Sequence, residues 1–176
     1  MSGSENLYIV DTSTLIELQR QYPSDIFPSV WRYVHELVVF GRFIAPVEVK
    51  KELLEGYDLL LTWVNAHDSV FYDLDEELIL ATQKILQQFP RMADAESDKL
   101  HNADPFVVAL AVLMREQPQQ KLTKYRVCVV TNEKGKLSGN PLLHPANMKK
   151  IPDVCSQLGI ISMDHFGMFR EENWSF

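Results

Sequence analysis

Cysteine is scarce in this chain, long apolar runs are missing, and there is no surplus of basic residues. Two cysteines, Cys128 and Cys155, among 176 residues cannot build a disulfide framework. They are expected as reduced, partly buried thiols, which points to a cytoplasmic protein. The longest apolar run, Phe106 to Met114, is far shorter than the roughly 20 residues that cross a bilayer, so no membrane partner is expected. The opening MSGSENLYIV has no basic segment followed by a hydrophobic one, and no secretory signal is expected from it. Lysine and arginine number 17 against 24 acids, for a net charge of −7. A protein that held nucleic acid mainly by neutralising phosphates would be basic. Either nucleic acid is not the ligand, or the acids gather where metal ions offset them.

What is present is an alternation of short apolar runs with helical periodicity. Leu7-Tyr8-Ile9-Val10 reads as a buried strand ending at Asp11, with Thr12, Ser13 and Thr14 as cap candidates for a helix through Leu18. Pro23 and Pro28 bracket a break before a helix from Ser29 to about Phe40, which Gly41 ends. Phe43-Ile44-Ala45 reads as a strand, and Pro46 opens a helix from Val47 to Glu55, closed by Gly56. A helix over Leu59–Asn65, an extended piece over Ser69–Tyr72 and a helix over Asp75–Gln88 follow, and then a polar, loop-like stretch from Pro90 to Asn102. Asp104-Pro105 starts a helix that is apolar almost all round, expected as the central buried helix. Arg126–Val130 is a strand, and Asn132–Lys150 is a long aperiodic loop of a length that usually signals function. Pro152 begins another helix that Gly159 ends, Ile160-Ile161-Ser162 is a last strand, and a helix closes the chain. Strands alternating with helices imply an α/β fold, a three-layer α/β/α sandwich with a mostly parallel sheet. No repeat or boundary divides it, so residues 1–176 are expected as one domain, with 1–6 as a flexible N-terminus.

In a parallel sheet ligands bind beyond the carboxyl ends of the strands. Asp11 ends the first strand, Glu133 lies just past the Arg126 strand, Asp104 heads the buried helix, and Glu52 lies one turn after Glu48 on the helix behind Phe43. Each acid also has a plain structural reading. Asp104 before Pro105 has the form of an N-cap, and Asp11 could cap the Thr12 helix. Glu48, Lys51, Glu52 and Glu55 could form a solvated face. Glu133 could be a loop carboxylate, and Asp153 suits a helix first turn through the macrodipole. It is the joint placement of the acids that suggests a site.

Four segments, in order, resemble the motifs of PIN-domain nucleases. Tyr8-Ile9-Val10-Asp11-Thr12-Ser13 resembles the opening strand with its terminal aspartate and following hydroxyl. Ala45-Pro46-Val47-Glu48-Val49-Lys50-Lys51-Glu52-Leu53 is similar to the second motif, whose glutamate falls on Glu52. Asp104-Pro105-Phe106-Val107-Val108-Ala109-Leu110-Ala111 resembles the third, and Val129-Val130-Thr131-Asn132-Glu133 the fourth. The fourth acid is usually aspartate, whereas Glu133 is one methylene longer. Ile151-Pro152-Asp153-Val154-Cys155 resembles a segment of one PIN-like branch, in which Asp153 supplies another carboxylate.

The resemblance implies a PIN-like fold and a metal-dependent ribonuclease. Asp11, Glu52 and Asp104 would hold Mg²⁺ or Mn²⁺, and Glu133 or Asp153 would complete the shell. An all-oxygen, anionic ligand set suits such hard cations. Thr12, Ser13 and Thr131 would set hydroxyls against water or phosphate. Lys134, Lys136, Lys149 and Lys150, in or beside the long loop, either meet the RNA backbone, with Lys134 and Lys149 the leading candidates, or belong to a solvated loop. The resemblance further implies a toxin silenced by a small antitoxin protein, and a homodimer. Zinc is not expected, because the two cysteines and His144 or His165 are too scattered to form a motif.

Two other readings remain. A PIN-like fold could serve as a binding or scaffold module. Asp11-Thr12-Ser13-Thr14 after a strand also resembles the start of a haloacid-dehalogenase-type phosphatase, except that Ser13 stands where that family has its second aspartate.

Overall fold

A computed structural model describes residues 5–94, 101–116, 125–135 and 143–176. Its strands are β1 (Asn6–Val10), β2 (Phe43–Pro46), β3 (Phe71–Tyr72), β4 (Arg126–Val130) and β5 (Ile161–Met163). They form one all-parallel sheet in the order β3-β2-β1-β4-β5. β1 is buried along its whole length, as a central parallel strand covered on both faces must be, and this explains its unbroken apolar run. Register is set by Tyr8 opposite Phe43 on one side and Val10 opposite Val130 on the other. The strand starts at Asn6, which is itself buried, so the expected flexible stretch does not reach residue 6.

The helices are α1 (Thr12–Gln21), α2 (Pro28–Val39), α3 (Val47–Leu54), α4 (Asp58–Ala66), α5 (Glu76–Gln88), α6 (Asp104–Glu116), α7 (Ile151–Leu158) and α8 (His165–Glu171). α1 packs on α3 and α4, while α5 and α7 pack on α6. Right-handed crossovers put the connections that run from β1 outward to β3 on one face, and those that return to β4 and β5 on the other. The result is an α/β/α sandwich. α6 lies across β1, β2 and β4 and buries Val107 through Ala111, which makes it the central helix that its all-round apolar sequence implies. Gly159 ends α7 at φ 65°, a left-handed position that glycine takes without steric cost.

Two segments depart from expectation. Only Phe71–Tyr72 of the Ser69–Tyr72 piece is strand, because Asp68–Val70 forms a 3₁₀ turn. Pro90–Ala93 is also a 3₁₀ turn, not loop. Met92 is fully buried there, and one apolar anchor among polar neighbours carries no periodic signal. Both cysteines are free and buried. Burial, reinforced by the charge of Asp11, pushes the Cys155 thiol up to about 12. Among the described residues no helix is long and apolar enough to cross a membrane.

Candidate metal centre at the strand switch point

The strand order reverses between β1 and β4, the place where open parallel sheets leave a crevice beyond their carboxyl ends. A cavity of about 740 Å³ lies there, and Asp11, Glu52, Asp104 and Glu133 all line it. They arrive from four places: the end of β1, the last turn of α3, the first residue of α6, and the segment just after β4.

Asp11 is held most completely. It caps α1 through Thr14 N–H at 2.8 Å, and it accepts from Thr14 Oγ1 at 2.8 Å, from Ser13 Oγ at 2.8–2.9 Å and from Thr131 Oγ1 at 2.5 Å. The capping role and the site role therefore coincide in one side chain. Burial raises its pKa, and the hydroxyls of Thr131, Ser13 and Thr14 oppose the shift. Thr14, which the sequence offers as a cap candidate and not as a site residue, holds Asp11 through both its N–H and its hydroxyl. The Asp-x-x-Thr spacing of a capped helix start is the signal that points to it.

Glu52 is buried, with one oxygen accepting from Thr12 Oγ1 and the other from Ala103 N–H at 2.9 Å. It thus satisfies an otherwise orphaned donor at the start of α6 and ties α3 to that helix. The solvated-face reading of Glu52 fails for this reason. Glu48 pairs with Lys51 at 2.7 Å and does not line the cavity.

Asp104 is not the N-cap that its place before Pro105 suggests. It is the first helical residue, and Val107 N–H bonds to Ala103 O at 3.0 Å. Its carboxylate accepts no hydrogen bond among the described residues and faces the cavity. Burial, then the charges of Glu133, Asp11 and Glu52, push its pKa up to about 7 against the opposing pull of Lys150. Three neighbouring acids act on one carboxylate, and the charges outweigh the local cation.

Glu133 lines the cavity, but its oxygens accept from Lys150 Nζ at 2.8 Å and from Ile151 N–H at 3.1 Å. It therefore braces the start of α7. Asp153 is buried but does not line the cavity, and a Cβ built on Gly135 would lie 2.4 Å from its Oδ1. Lys134 and Lys149 line the rim. Lys150 is paired with Glu133 and not turned to a ligand, and Lys136 lies outside the described residues. The hydroxyls of Thr12, Ser13 and Thr131 are spent on holding Glu52 and Asp11, where the sequence suggested contact with water or phosphate.

Among the described residues no three His, Cys, Asp or Glu side chains are gathered at metal-binding spacing. The donor chemistry of the cavity nevertheless fits a hard divalent cation. Seven carboxylates line it against two lysines, Asp11, Glu52, Asp104 and Glu133 offer oxygen donors, and like charges without a cation hold apart.

Sequence reading missed one wall of the cavity. His165 is buried, with Nδ1 3.0 Å from Asn132 Oδ1 and Nε2 3.2 Å from Gln21 Oε1. Gln21 Nε2 is committed to Glu17 at 2.8 Å, so His165 Nε2 carries the proton that meets Gln21 Oε1. Burial lowers the His165 pKa and favours the neutral ring, whose Nδ1 then accepts. That assigns the amide nitrogen of Asn132 to His165, and gives the Asn132 Nδ2 group, buried and without a partner in the opposite orientation, its acceptor. A lone histidine with partners 33 and 144 residues away leaves no mark in the sequence.

The model of a family described as "Domain of unknown function (DUF4411)" matches residues 8–176. The chain belongs to this DUF4411 family. No curated protein and no solved structure matches it. The DUF4411 match starts within β1 and takes in every carboxylate of the cavity, so the fold and the acidic crevice both lie inside the family's bounds.

Proposed function

We propose that this protein is a metal-dependent nuclease that hydrolyses RNA phosphodiester bonds. One observation carries the reading: Asp11, Glu52, Asp104 and Glu133, distant in sequence, line a single cavity at the strand switch point. Asp11, Glu52 and Asp104 would hold Mg²⁺ or Mn²⁺. Such a cation, when bound, activates water and stabilises charge on a phosphodiester. The chain's own residues do the rest. Thr14, Ser13 and Thr131 hold both oxygens of Asp11 in place, and Thr12 and Ala103 N–H fix Glu52. Lys134 and Lys149 on the rim offer the charge that a polyanion needs in order to approach an acidic crevice. RNA as the substrate rests on the PIN-domain resemblance of the four motifs.

Glu133, held by Lys150 and Ile151, favours a site of three acids over one of four. The same contact supports the second reading, a binding module of the same fold. A phosphatase is disfavoured, because Asp11 is enclosed by three hydroxyls that blunt a nucleophile. The test is cleavage of a mixed structured RNA pool by the wild type and by Asp11→Asn, with Mn²⁺, Mg²⁺ or EDTA. Cleavage by the wild type with metal only, and none by the variant, is expected. Equal cleavage by both proteins refutes the site.

A further inference from the structure

A second pair of side chains, away from the carboxylates, has the form of a metal site of different chemistry. His35 on α2 and His67 at the end of α4 are 32 residues apart, and no sequence motif joins them. The fold brings His35 Nδ1 to 3.2 Å from His67 Nε2, with the rings 79° apart. Two imidazole nitrogens bound at about 2.0–2.1 Å to one tetrahedral ion are about 3.3 Å from each other, so the observed gap is already that of a shared ligand.

His67 is also prepared as a ligand. Its Nδ1 lies 2.8 Å from the carbonyl oxygen of Trp63, and only an N–H can face a carbonyl. The proton therefore sits on Nδ1 and leaves a lone pair on Nε2, toward His35. A backbone carbonyl that fixes the tautomer is the usual outer partner of a metal-binding histidine. The indole of Trp63 stacks on the ring at 4.6 Å and 18° and sets its plane. His35 is exposed, so an ion could arrive with its remaining waters.

We propose that His35 and His67 bind a divalent transition ion that prefers imidazole, with Zn²⁺ as the probe, and that the ion links α2 to the end of α4. Nitrogen ligands separate this site from the carboxylate-rich crevice, which suits Mg²⁺ or Mn²⁺. In the metal-free pair His35 Nδ1–H donates to His67 Nε2, so binding requires that proton to move to the other nitrogen of the His35 ring.

The experiment measures the melting temperature and the calorimetric binding of Zn²⁺ at pH 7.5 in the full chain carrying Asp11→Asn. This background weakens the carboxylate crevice as a competing site. Asp11→Asn with His35→Gln is the comparison. His35 is exposed, so its replacement leaves the core intact. A saturable rise in melting temperature is expected in the first protein. In the second the rise is lost, with affinity weaker by on the order of tenfold or more. No rise in the first, or an equal rise in both, overturns the proposal. Neither outcome bears on RNA cleavage, which the wild type reports separately.

Discussion

Asp104 gives the sharpest quantitative test, because its charge is costly in the protein without metal. Its folded pKa of about 7 lies above its ordinary value of 3.8. The stability tied to the protonated carboxyl is therefore complete below about pH 4, and is lost as the pH rises through 7. Each pH unit across that window is worth about 1.4 kcal/mol, which sets a ceiling of about 4 kcal/mol. Asp104 opens on the cavity, and screening by solvent cuts this to roughly 1–3 kcal/mol. Asp104→Asn removes the cost. At pH 8 and without metal the variant should be more stable than the wild type by that amount, or roughly 3–9 °C in melting temperature for a domain of this size. At pH 4 the two should coincide. The assay is denaturant unfolding of both proteins at each pH from 4 to 8 in EDTA. Adding Mn²⁺ at pH 8 should stabilise the wild type and leave Asp104→Asn unmoved. A variant that is less stable than the wild type at pH 8, or a difference that does not change with pH, refutes the reasoning.

Four further outcomes follow from particular contacts. Thr131→Val keeps the side-chain shape but removes the 2.5 Å hydrogen bond to buried Asp11. It should cost about 1–3 kcal/mol in denaturant unfolding at neutral pH and reduce RNA cleavage as well. Glu52→Gln retains an acceptor for Ala103 N–H and should fold within about 1 kcal/mol of the wild type, whereas Glu52→Ala strands that donor and should lose about 1–3 kcal/mol; both should lose activity. Gly135→Ala meets Asp153 Oδ1 at 2.4 Å and Pro152 Cβ at 3.2 Å. Thermal unfolding should show a loss of about 1–3 kcal/mol. For His165, ¹⁵N NMR should find the Nε2–H tautomer and a titration below 6.5, with stability lost as the pH falls through that range.

The strands and helices were legible because each carries a pattern of its own. The apolar run of β1, the Asp11 cap, the Pro28 and Pro46 starts and the Gly159 stop all lie within a few residues of the elements they mark. Asp11, Asp104 and Glu133 could also be placed, since strand ends and helix starts in a parallel sheet converge at one edge, and Glu52 follows from its place on the helix behind β2. What each carboxylate touches could not be read. Ala103 N–H on Glu52 joins residues 51 apart, and Thr131 on Asp11 joins residues 120 apart. The same limit hid the Lys150–Glu133 pair, in which a lysine read as a ligand contact is bound to an acid of the site. The His165–Asn132–Gln21 wall and the His35–His67 pair are likewise products of packing between elements.

The proposed binding of a divalent cation by the acids of the switch-point crevice is open to calorimetric titration of Mn²⁺ into the wild type and Asp104→Asn at pH 8. Saturable binding by the wild type, lost or severely weakened in the variant, is predicted. No binding by the wild type, or equal binding by both, contradicts the account.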